Sequence, residues 1–333
     1  MKYDYFVGID VSKPFVDVAL ARAIDQEEIL HKQFENSVEG ISELFEWVKA
    51  QRDFKVDTAV FCMEATGLYC NLLTEQLHKL RALIWVENAV QIKKSMGVTR
   101  GKNDKVDAIR IAMYALRNQD RIRFWKPAGE TIDKIRHLAS LRERMVVTQK
   151  RLLTPIKELK ENGNSAMGKM LEKSIQKSIQ AIEKDLIKIE EEIHSLIKKD
   201  EQLNKLFLLI TSVVGIGFVT AINLIIHTHG FAIMNDVRKL ACFCGVAPFP
   251  YQSGISVKGK TRVHAMANKK LKCNLHMASL TAIKLDPELK SYYERKVSEG
   301  KNKMSVLNAV RNKLLARVVA VVNKQEFYVK KIA

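Results

Sequence analysis

The sequence predicts an α/β domain with a mixed sheet at the N-terminus, then a central coiled coil, then a mostly helical C-terminal domain. Three observations predict this order. Short apolar, β-branched runs alternate with amphipathic helices over residues 1–117, a heptad pattern follows, and residues 204–333 are mainly helical in pattern. Glycine and proline are scarce, with 15 and 6 residues among 333, which favours long helices.

The N-terminal elements follow the order β-β-β-α-β-α-β-α. Alternation of apolar residues, as at Val16, Val18 and Leu20, predicts strands, and spacing such as that of Ile41 and Leu44 predicts a helix. Short connections make the first three strands an antiparallel meander. The predicted strands are residues 5–10, 16–21, 29–34, 58–63 and 83–86, and the predicted helices are residues 40–50, 68–80 and 104–116.

A heptad seam dominates the middle of the chain. Its apolar residues are spaced alternately by four and three: Ile175, Ile179, Ile182, Leu186, Ile189, Ile193 and Leu196. A helix over residues 138–159 precedes it, which we expect Pro155 to break or bend. A turn at residues 162–165 joins the two arms. The seam fits a dimerisation arm and an intramolecular antiparallel pair equally well.

The chain is strongly basic, with 55 Lys and Arg against 37 Asp and Glu, or a net charge of +18. Such a charge attracts polyanions, so nucleic acid is the predicted partner. An anionic membrane surface and an incidentally high isoelectric point are the alternatives. Five cysteines without zinc-ligand spacing, and an N-terminus without a signal-peptide pattern, predict a cytoplasmic protein.

Residues 206–226 carry no charge and are long enough to span a membrane. Gly215 and Gly217 lie at their centre, and polar residues such as Thr220 and Asn223 interrupt them. We therefore expect two short buried helices joined at the glycines, and no membrane partner.

Four acids form the candidate metal site: Asp10, Glu64, Asp104 and Asp107. Asp10 and Glu64 close the first and fourth predicted strands, and the other two share one face at a helix start. If those strands are neighbours, the carboxylates meet at one sheet edge, repel one another and need cations. Two Mg²⁺ ions suit such oxygen ligands and in-line attack on phosphate. The alternative is ordinary strand-end acids and helix caps.

Ser253 is the candidate nucleophile. It lies in a polar turn within residues 237–285, a segment of 49 residues that contains nine Lys and Arg and no Asp or Glu. A serine among groups that gather phosphates suits attack on a phosphodiester. The alternative is a turn that grips phosphate without chemistry.

Further residues are predicted to contact nucleic acid. Lys102 and Lys105 flank the acids, and Gly215 and Gly217 form a turn that exposes backbone N–H groups, with a simple packing turn as the alternative. Arg311, Lys313 and Arg317 on a late helix fit either nucleic-acid binding or a solvated face. The basic residues that follow Ser253 are Lys258, Lys260, Arg262, Lys269, Lys270 and Lys272.

Four motifs resemble one family, the DEDD transposases of bacterial insertion-sequence family one-ten, related to the Piv/MooV invertases. They are the segments 8–13 (GIDVSK), 64–67 (EATG), 103–108 (NDKVDA) and 245–254, with its Gly-x-x-Pro and Ser-Gly. The resemblance implies a RuvC-like, RNase H-like N-terminal domain whose Asp10, Glu64, Asp104 and Asp107 bind the metal ions. It implies that Ser253 is the catalytic serine, covalently linked to DNA during the reaction and forming one composite site with the acids.

The resemblance also implies a structured non-coding bridge RNA that selects donor and target DNA. We expect homodimers built by the coiled coil, two dimers in the synaptic complex, and a nucleoid-associated location. The predicted domains are residues 1–125 (RuvC-like), 126–203 (coiled coil) and 204–333 (C-terminal transposase domain). Val214 replaces the family's proline before the glycine turn. The function expected is DNA cleavage and rejoining; the alternatives are a RuvC-type junction nuclease without a covalent intermediate and a non-catalytic scaffold.

Overall fold

The structure is a computed structural model, and it describes residues 3–24, 29–65, 67–95, 103–254 and 257–329. The chain divides into two compact units, Met1–Pro127 and Ala128–Ala333. The division into three domains at residues 125 and 203 remains a prediction.

A five-stranded mixed sheet is the centre of the first unit, with the strand order β3-β2-β1-β4-β5. The first three strands form an antiparallel meander, and β4 and β5 extend it in parallel from β1. The mixed sheet and its meander are therefore as the alternation predicted. The strands are β1 (Tyr5–Val11), β2 (Phe15–Arg22), β3 (Ile29–Glu35), β4 (Ala59–Glu64) and β5 (Leu83–Glu87).

Helices cover both faces of this sheet. On one face Tyr5, Val7 and Ile9 pack with apolar residues of α1 and α2. On the other face Phe6 packs with α4. The arrangement confirms the RNase H-like prediction and adds one short helix, α3, that the sequence analysis lacked. The helices are α1 (Val38–Lys49), α2 (Tyr69–Lys79), α3 (Ala89–Ser95) and α4 (Asp104–Arg117).

The second unit begins with a helical hairpin of α5 (Glu130–Glu161) and α6 (Ser165–Lys199), which pack along each other within one chain. The turn between them has Gly163 at a φ of +86°, a backbone conformation that glycine adopts without strain. The seam of α6 is buried at Ile189 and Ile193, near the base of the hairpin. Ion pairs such as Arg142–Glu190, at 2.6 Å, also join the helices.

Pro155 does not break α5, which continues through it to Glu161, so of the two expected effects, a break or a bend, the break does not occur. Proline costs a helix one backbone hydrogen bond. The neighbouring Ile156 is buried, at 6% exposure, and packing of this kind against α6 supports the helix on both sides of the proline.

The described remainder of the second unit contains six helices and one β-hairpin, β6 (Phe249–Ser253) and β7 (Val257–Arg262), that the sequence pattern did not predict. The base of the α5–α6 hairpin shares one hydrophobic core with the later helices. Those helices are α7 (Glu201–Thr211), α8 (Phe218–Thr228), α9 (Val237–Phe243), α10 (Lys269–Leu285), α11 (Pro287–Ser298) and α12 (Lys303–Lys324).

The uncharged segment 206–226 forms α7 and α8 with the glycine turn between them, as expected. Across the ranges that the structure describes, no helix combines the length and apolarity needed to cross a bilayer.

Candidate active site

The first feature of the site is the close approach of α4 to β1. A Cβ added at Gly8 would lie 2.1 Å from the backbone nitrogen of Ala112 and 2.3 Å from the carbonyl oxygen of Ala108, so only glycine fits there. Side chains alternate along a strand, so Asp10, two residues on, points to the same side of the sheet as α4. The Gly-Ile-Asp motif thus combines a helix-packing position with a carboxylate beside the start of that helix.

The start of α4 supplies two further carboxylates. The Asn103 side chain caps the helix by accepting a hydrogen bond from the Val106 backbone N–H at 2.8 Å, and Asp104 and Asp107 lie in the first turn. Asp104 is exposed, whereas Asp107 is half-buried and accepts a hydrogen bond from Arg110 at 2.7 Å. One of the two helix carboxylates therefore already has a cationic neighbour.

Glu64 joins the group through strand pairing. Strand β4 lies parallel to β1, and Ile9 pairs with Met63, so Asp10 and Glu64 follow at the ends of adjacent strands. The strand adjacency on which the sequence prediction depended is therefore present.

These carboxylates interact electrostatically. Burial, and after it the negative charges of nearby carboxylates, together raise the pKa of Asp10 from 3.8 to about 6; these carboxylates are, in decreasing order of effect, Asp107, Asp104, Glu64 and Asp17. Such mutual repulsion, with oxygen donors alone, fits hard divalent cations such as Mg²⁺. Among the described residues, however, no three His, Cys, Asp or Glu side chains converge closely enough to hold one ion.

Two carboxylates that the sequence analysis missed lie in the same row of the sheet. Asp17 on β2 pairs with Asp10, and Glu87 on β5 pairs with Glu64. Asp17 is 5% exposed and accepts hydrogen bonds from Gln33 and His31, both at 2.9 Å. The row thus crosses four adjacent strands, and strand register was the only signal that could have identified its outer members.

Glu87 has its own partner at the outer end of the row. Tyr114 of α4 donates a hydrogen bond to it over 3.3 Å. Burial, together with the charge of Glu87 and this hydrogen bond, raises the pKa of Tyr114 to about 12, so its hydroxyl stays a donor at neutral pH.

Ser253 ends β6, where its backbone pairs with Val257 across the hairpin. Gly254 follows with a φ of +56°, a left-handed conformation that fits the Ser-Gly dipeptide to a tight turn. The side chains of Ser253, Lys258 and Lys260 lie outside the described part of the structure, as does Lys102. Arg262 is exposed at the other end of the hairpin, paired with Phe249.

The remaining predicted basic residues differ in their surroundings. Lys105 is exposed in the first turn of α4. In the first turn of α10, Lys269 is exposed, Lys270 forms an ion pair with Glu143 of α5, and Lys272 is half-buried. Lys270 therefore has less free charge to offer a phosphate than Lys269.

The glycine turn between α7 and α8 contains two different positions. Gly215 has a φ of +95°, and an added Cβ would lie 2.6 Å from the carbonyl oxygen of Ala278 in α10, so this glycine is needed for packing. Gly217 is exposed, begins α8 without a side-chain cap, and would have open space around an added Cβ. Only Gly217 combines accessibility with uncapped helix N–H groups.

Two family models match the chain in sequence order. The IS110 DEDD transposase domain matches residues 7–159, which include all four predicted metal-binding carboxylates. The transposase model of the IS116/IS110/IS902 family matches residues 208–294, which include Ser253. The chain belongs to the IS110 family of transposases.

Two relatives support this family assignment, one of them over nearly the whole chain. The chain is similar to the pilin gene-inverting protein of Moraxella bovis, with 26% identity over 331 residues that cover 98% of both chains. It is also 24% identical to an uncharacterized 43.6 kDa protein of insertion element IS110 from Streptomyces coelicolor, over 46% of this chain and 37% of that one. The predicted family is thereby confirmed, and the protein is an enzyme of DNA recombination with DNA as its substrate.

Proposed function

We propose that this transposase cleaves and rejoins DNA strands with Ser253 as the nucleophile. Divalent cations, which we infer to be Mg²⁺ because all the ligands are carboxylate oxygens, would be held by Asp10, Glu64, Asp104 and Asp107. The observation that carries the metal part is the convergence of Asp10 and Glu64, at the ends of adjacent strands, with the carboxylates of the first turn of α4, whose charges, together with burial, raise the pKa of Asp10 to about 6. The position of Ser253, at a hairpin turn in a segment without Asp or Glu, supports the nucleophile.

The chemistry conserves phosphodiester bonds. The Ser253 oxygen forms a P–O bond as one P–O bond of the DNA backbone breaks, and the released DNA hydroxyl takes a proton. Attack by a second DNA hydroxyl on the phosphoserine then reseals a strand and returns the serine. Bound divalent ions would neutralise charge on the phosphate during these steps. The basic residues around the hairpin and α10 would hold the flanking backbone.

A covalent-adduct assay tests the nucleophile. Incubation with element-end DNA and Mg²⁺ should give a protein–DNA adduct that survives denaturing electrophoresis. Ser253→Ala should abolish the adduct and leave DNA binding unchanged, whereas Ser256→Ala, which removes the next serine along the chain, is the matched control. Cleaved DNA with free 5′ phosphates and no adduct would instead indicate a nuclease that uses activated water.

A metal titration tests the carboxylates separately. Asp10→Asn should eliminate cleavage at every Mg²⁺ concentration while the protein stays folded, because a neutral amide replaces one anionic ligand. Asp120→Asn removes an exposed acid of the same unit and should cleave normally. Full cleavage by Asp10→Asn would remove this residue from the metal site.

We further propose that a structured RNA guides the enzyme. The support is the family membership and a net charge of +18, which suits an assembly that holds more than one polyanion. Purified protein should retain a discrete RNA encoded next to its own gene, released by ribonuclease and not by deoxyribonuclease. Recovery of only random cellular RNA would contradict this.

We also propose that α6 takes part in dimer formation, with two dimers in the complex that joins donor and target. Four seam residues toward the tip of the hairpin stay partly exposed beside α5: Ile175, Ile179, Ile182 and Leu186. A second copy would bury them. Replacement of Ile179 and Ile182 by Gln should shift the sedimentation coefficient to that of a monomer, whereas replacement of the exposed Lys177 by Gln should not.

A further inference from the structure

The second unit contains an open cavity of about 890 Å³ between β7, α10 and α12. Four of its lining side chains are basic: Arg262, Lys272, His276 and Arg311. None of the described residues that line it is acidic. The sequence analysis left Arg311 open between nucleic-acid binding and a solvated face.

Arg311 is neither solvated nor neutralised. It is 5% exposed, and its buried Nε has no hydrogen-bond partner within the described part of the chain. Among the residues described by the structure, none forms a salt bridge with it. A guanidinium keeps its charge at any physiological pH, so the fold holds an uncompensated cation at the wall of a cavity.

Arg317, on the same helix, has carboxylate partners that balance its charge. Its two terminal nitrogens contact Asp286 at 2.7 Å and Glu288 at 2.8 Å. The contrast matters because a buried charge without a counter-charge is costly, and an anion from outside would supply what Asp286 supplies to Arg317.

Two neutral neighbours hold the Arg311 side chain in place. Nη2 lies 2.7 Å from Nδ1 of His276, and Nη1 donates to Oδ1 of Asn308 at 3.3 Å. Arginine can only donate, so Nδ1 accepts and the ring proton is on Nε2. Burial and the charge of Arg311 lower the pKa of His276, which keeps the ring neutral. Asn308 is itself anchored, because its amide donates to the Val246 carbonyl at 2.8 Å.

The rim of the cavity suits a strand rather than a free ion. Met277 and Met304 are exposed by 63% and 56%, and both line the cavity. Methionine side chains adapt to flat apolar surfaces such as nucleobases. Arg262 and Pro248, at the base of the hairpin that carries Ser253, complete one side.

We propose that this cavity binds one phosphodiester group of a nucleic-acid strand through Arg311, Lys272 and Arg262, with the neighbouring base against Met277 and Met304. The choice of a nucleic-acid strand rests on the proposed function, whereas the binding of a phosphate anion rests on the cavity alone.

Thermal unfolding with and without inorganic phosphate, at equal ionic strength, tests the anion site. The wild-type melting temperature should rise in phosphate relative to chloride, and Arg311→Met should lose this rise. Lys313→Met, which removes a cation of α12 that lies over the Tyr292 ring outside the cavity, should keep it. No rise in the wild type, or an equal rise in all three proteins, would overturn the proposal.

The same experiment separates binding from a purely structural role. If Arg311 only joins α10 to α12, Arg311→Met should melt lower without ligand and keep the phosphate response. If Arg311 is an anion-binding residue, its charge is unpaired when no anion is bound, and Arg311→Met removes that charge. The melting temperature without phosphate should then be unchanged or higher. Arg311→Lys serves as a second variant that keeps the charge and loses the paired donors.

Affinity for a single-stranded oligonucleotide decides the ligand class. Arg311→Met should bind a fluorescent oligothymidine about tenfold more weakly than Lys313→Met, as expected for the loss of hydrogen bonds to a charged group. A normal phosphate response with unchanged oligonucleotide affinity would assign the cavity to a free anion and refute the strand. Ser253→Ala should keep both responses, so a missing covalent adduct and a missing phosphate site are told apart.

Discussion

Asp10 on β1 lies directly opposite Asp17 on β2 in the antiparallel ladder, and the two carboxylates have contrasting surroundings. Asp17 is buried and accepts hydrogen bonds from His31 and Gln33. Asp10 instead lies near other carboxylates, and burial together with their charges raises its pKa to about 6. One carboxylate is satisfied by the protein, and the other is left for a cation or a proton.

The raised pKa of Asp10 predicts a dependence of stability on pH. The folded state holds the proton more tightly than the unfolded state, whose pKa is near 3.8. Protonation thus stabilises the fold fully below pH 3.8, and this stabilisation is lost as the pH rises through about 6. Without metal, Asp10→Asn should be more stable than wild type at pH 7.5 by about 1–2 kcal/mol. This is less than the free energy that the full difference in pKa implies, because solvent screens a carboxylate that is only half-buried.

Chemical denaturation in a chelating buffer from pH 4 to 7.5 measures this difference. The advantage of Asp10→Asn should shrink toward zero at the acid end, and added Mg²⁺ should stabilise the wild type but not Asp10→Asn at neutral pH. Asp120→Asn is the control and should follow the wild type. A constant gap across the pH range would show that Asp10 does not titrate as inferred.

The negative charge of Asp17 predicts an effect on its neighbour. Asp17→Asn should lower the pKa of Asp10 toward its usual value, because one of the charges that raise it is removed. Side-chain NMR titration of Asp10 measures the shift. His31→Gln keeps the Asp17 charge and offers another donor, so it should leave the Asp10 pKa high; an equal fall in both variants would assign the effect to local structure.

The sequence predicted most of the sheet because alternation and strand length report local burial directly. It predicted that Asp10 and Glu64 lie together only on the condition that their strands are neighbours, because adjacent parallel strands end at one edge of the sheet. It missed Asp17 and Glu87 because their membership in the row depends on register between strands, which single-sequence patterns do not encode. The β6–β7 hairpin was missed because its basic and polar residues lack the apolar alternation that marks a strand.

Arg311 shows the same limit in the second unit. The helical spacing around it predicted α12 correctly, yet the sequence could not tell that Arg311 faces His276 while Arg317 faces Asp286. The two arginines lie on the same helix and look alike in the sequence. Only the packing of α10, α11 and α12 shows which of them has a carboxylate partner.

Replacement of the two glycines of the α7–α8 turn by alanine should change the stability by very different amounts. Gly215→Ala should destabilise the protein by about 2–4 kcal/mol, because the position has a positive φ and no room for a Cβ. Gly217→Ala should change stability by less than about 1 kcal/mol, since the site is open. Urea denaturation measures both. If the two variants were equally stable, the packing of Gly215 against α10 would not be the reason for that glycine.

The ion pairs of Arg317 predict a large loss on truncation. Asp286 is 2% exposed, begins α11 by accepting the Leu289 N–H at 3.0 Å, and relies on Arg317 for its counter-charge. Arg317→Met leaves that buried carboxylate unpaired, so the free energy of unfolding should fall by about 3 kcal/mol.

Lys313→Met is the matched control. It removes a cation of the same helix that has no carboxylate partner among the described residues, and it should lower the free energy of unfolding by less than about 1 kcal/mol. The double variant Arg317→Met, Asp286→Asn should recover part of the loss, because the amide can still cap α11 and carries no charge. Failure of the second substitution to recover any stability would show that the loss comes from packing of the arginine stem and not from the unpaired charge.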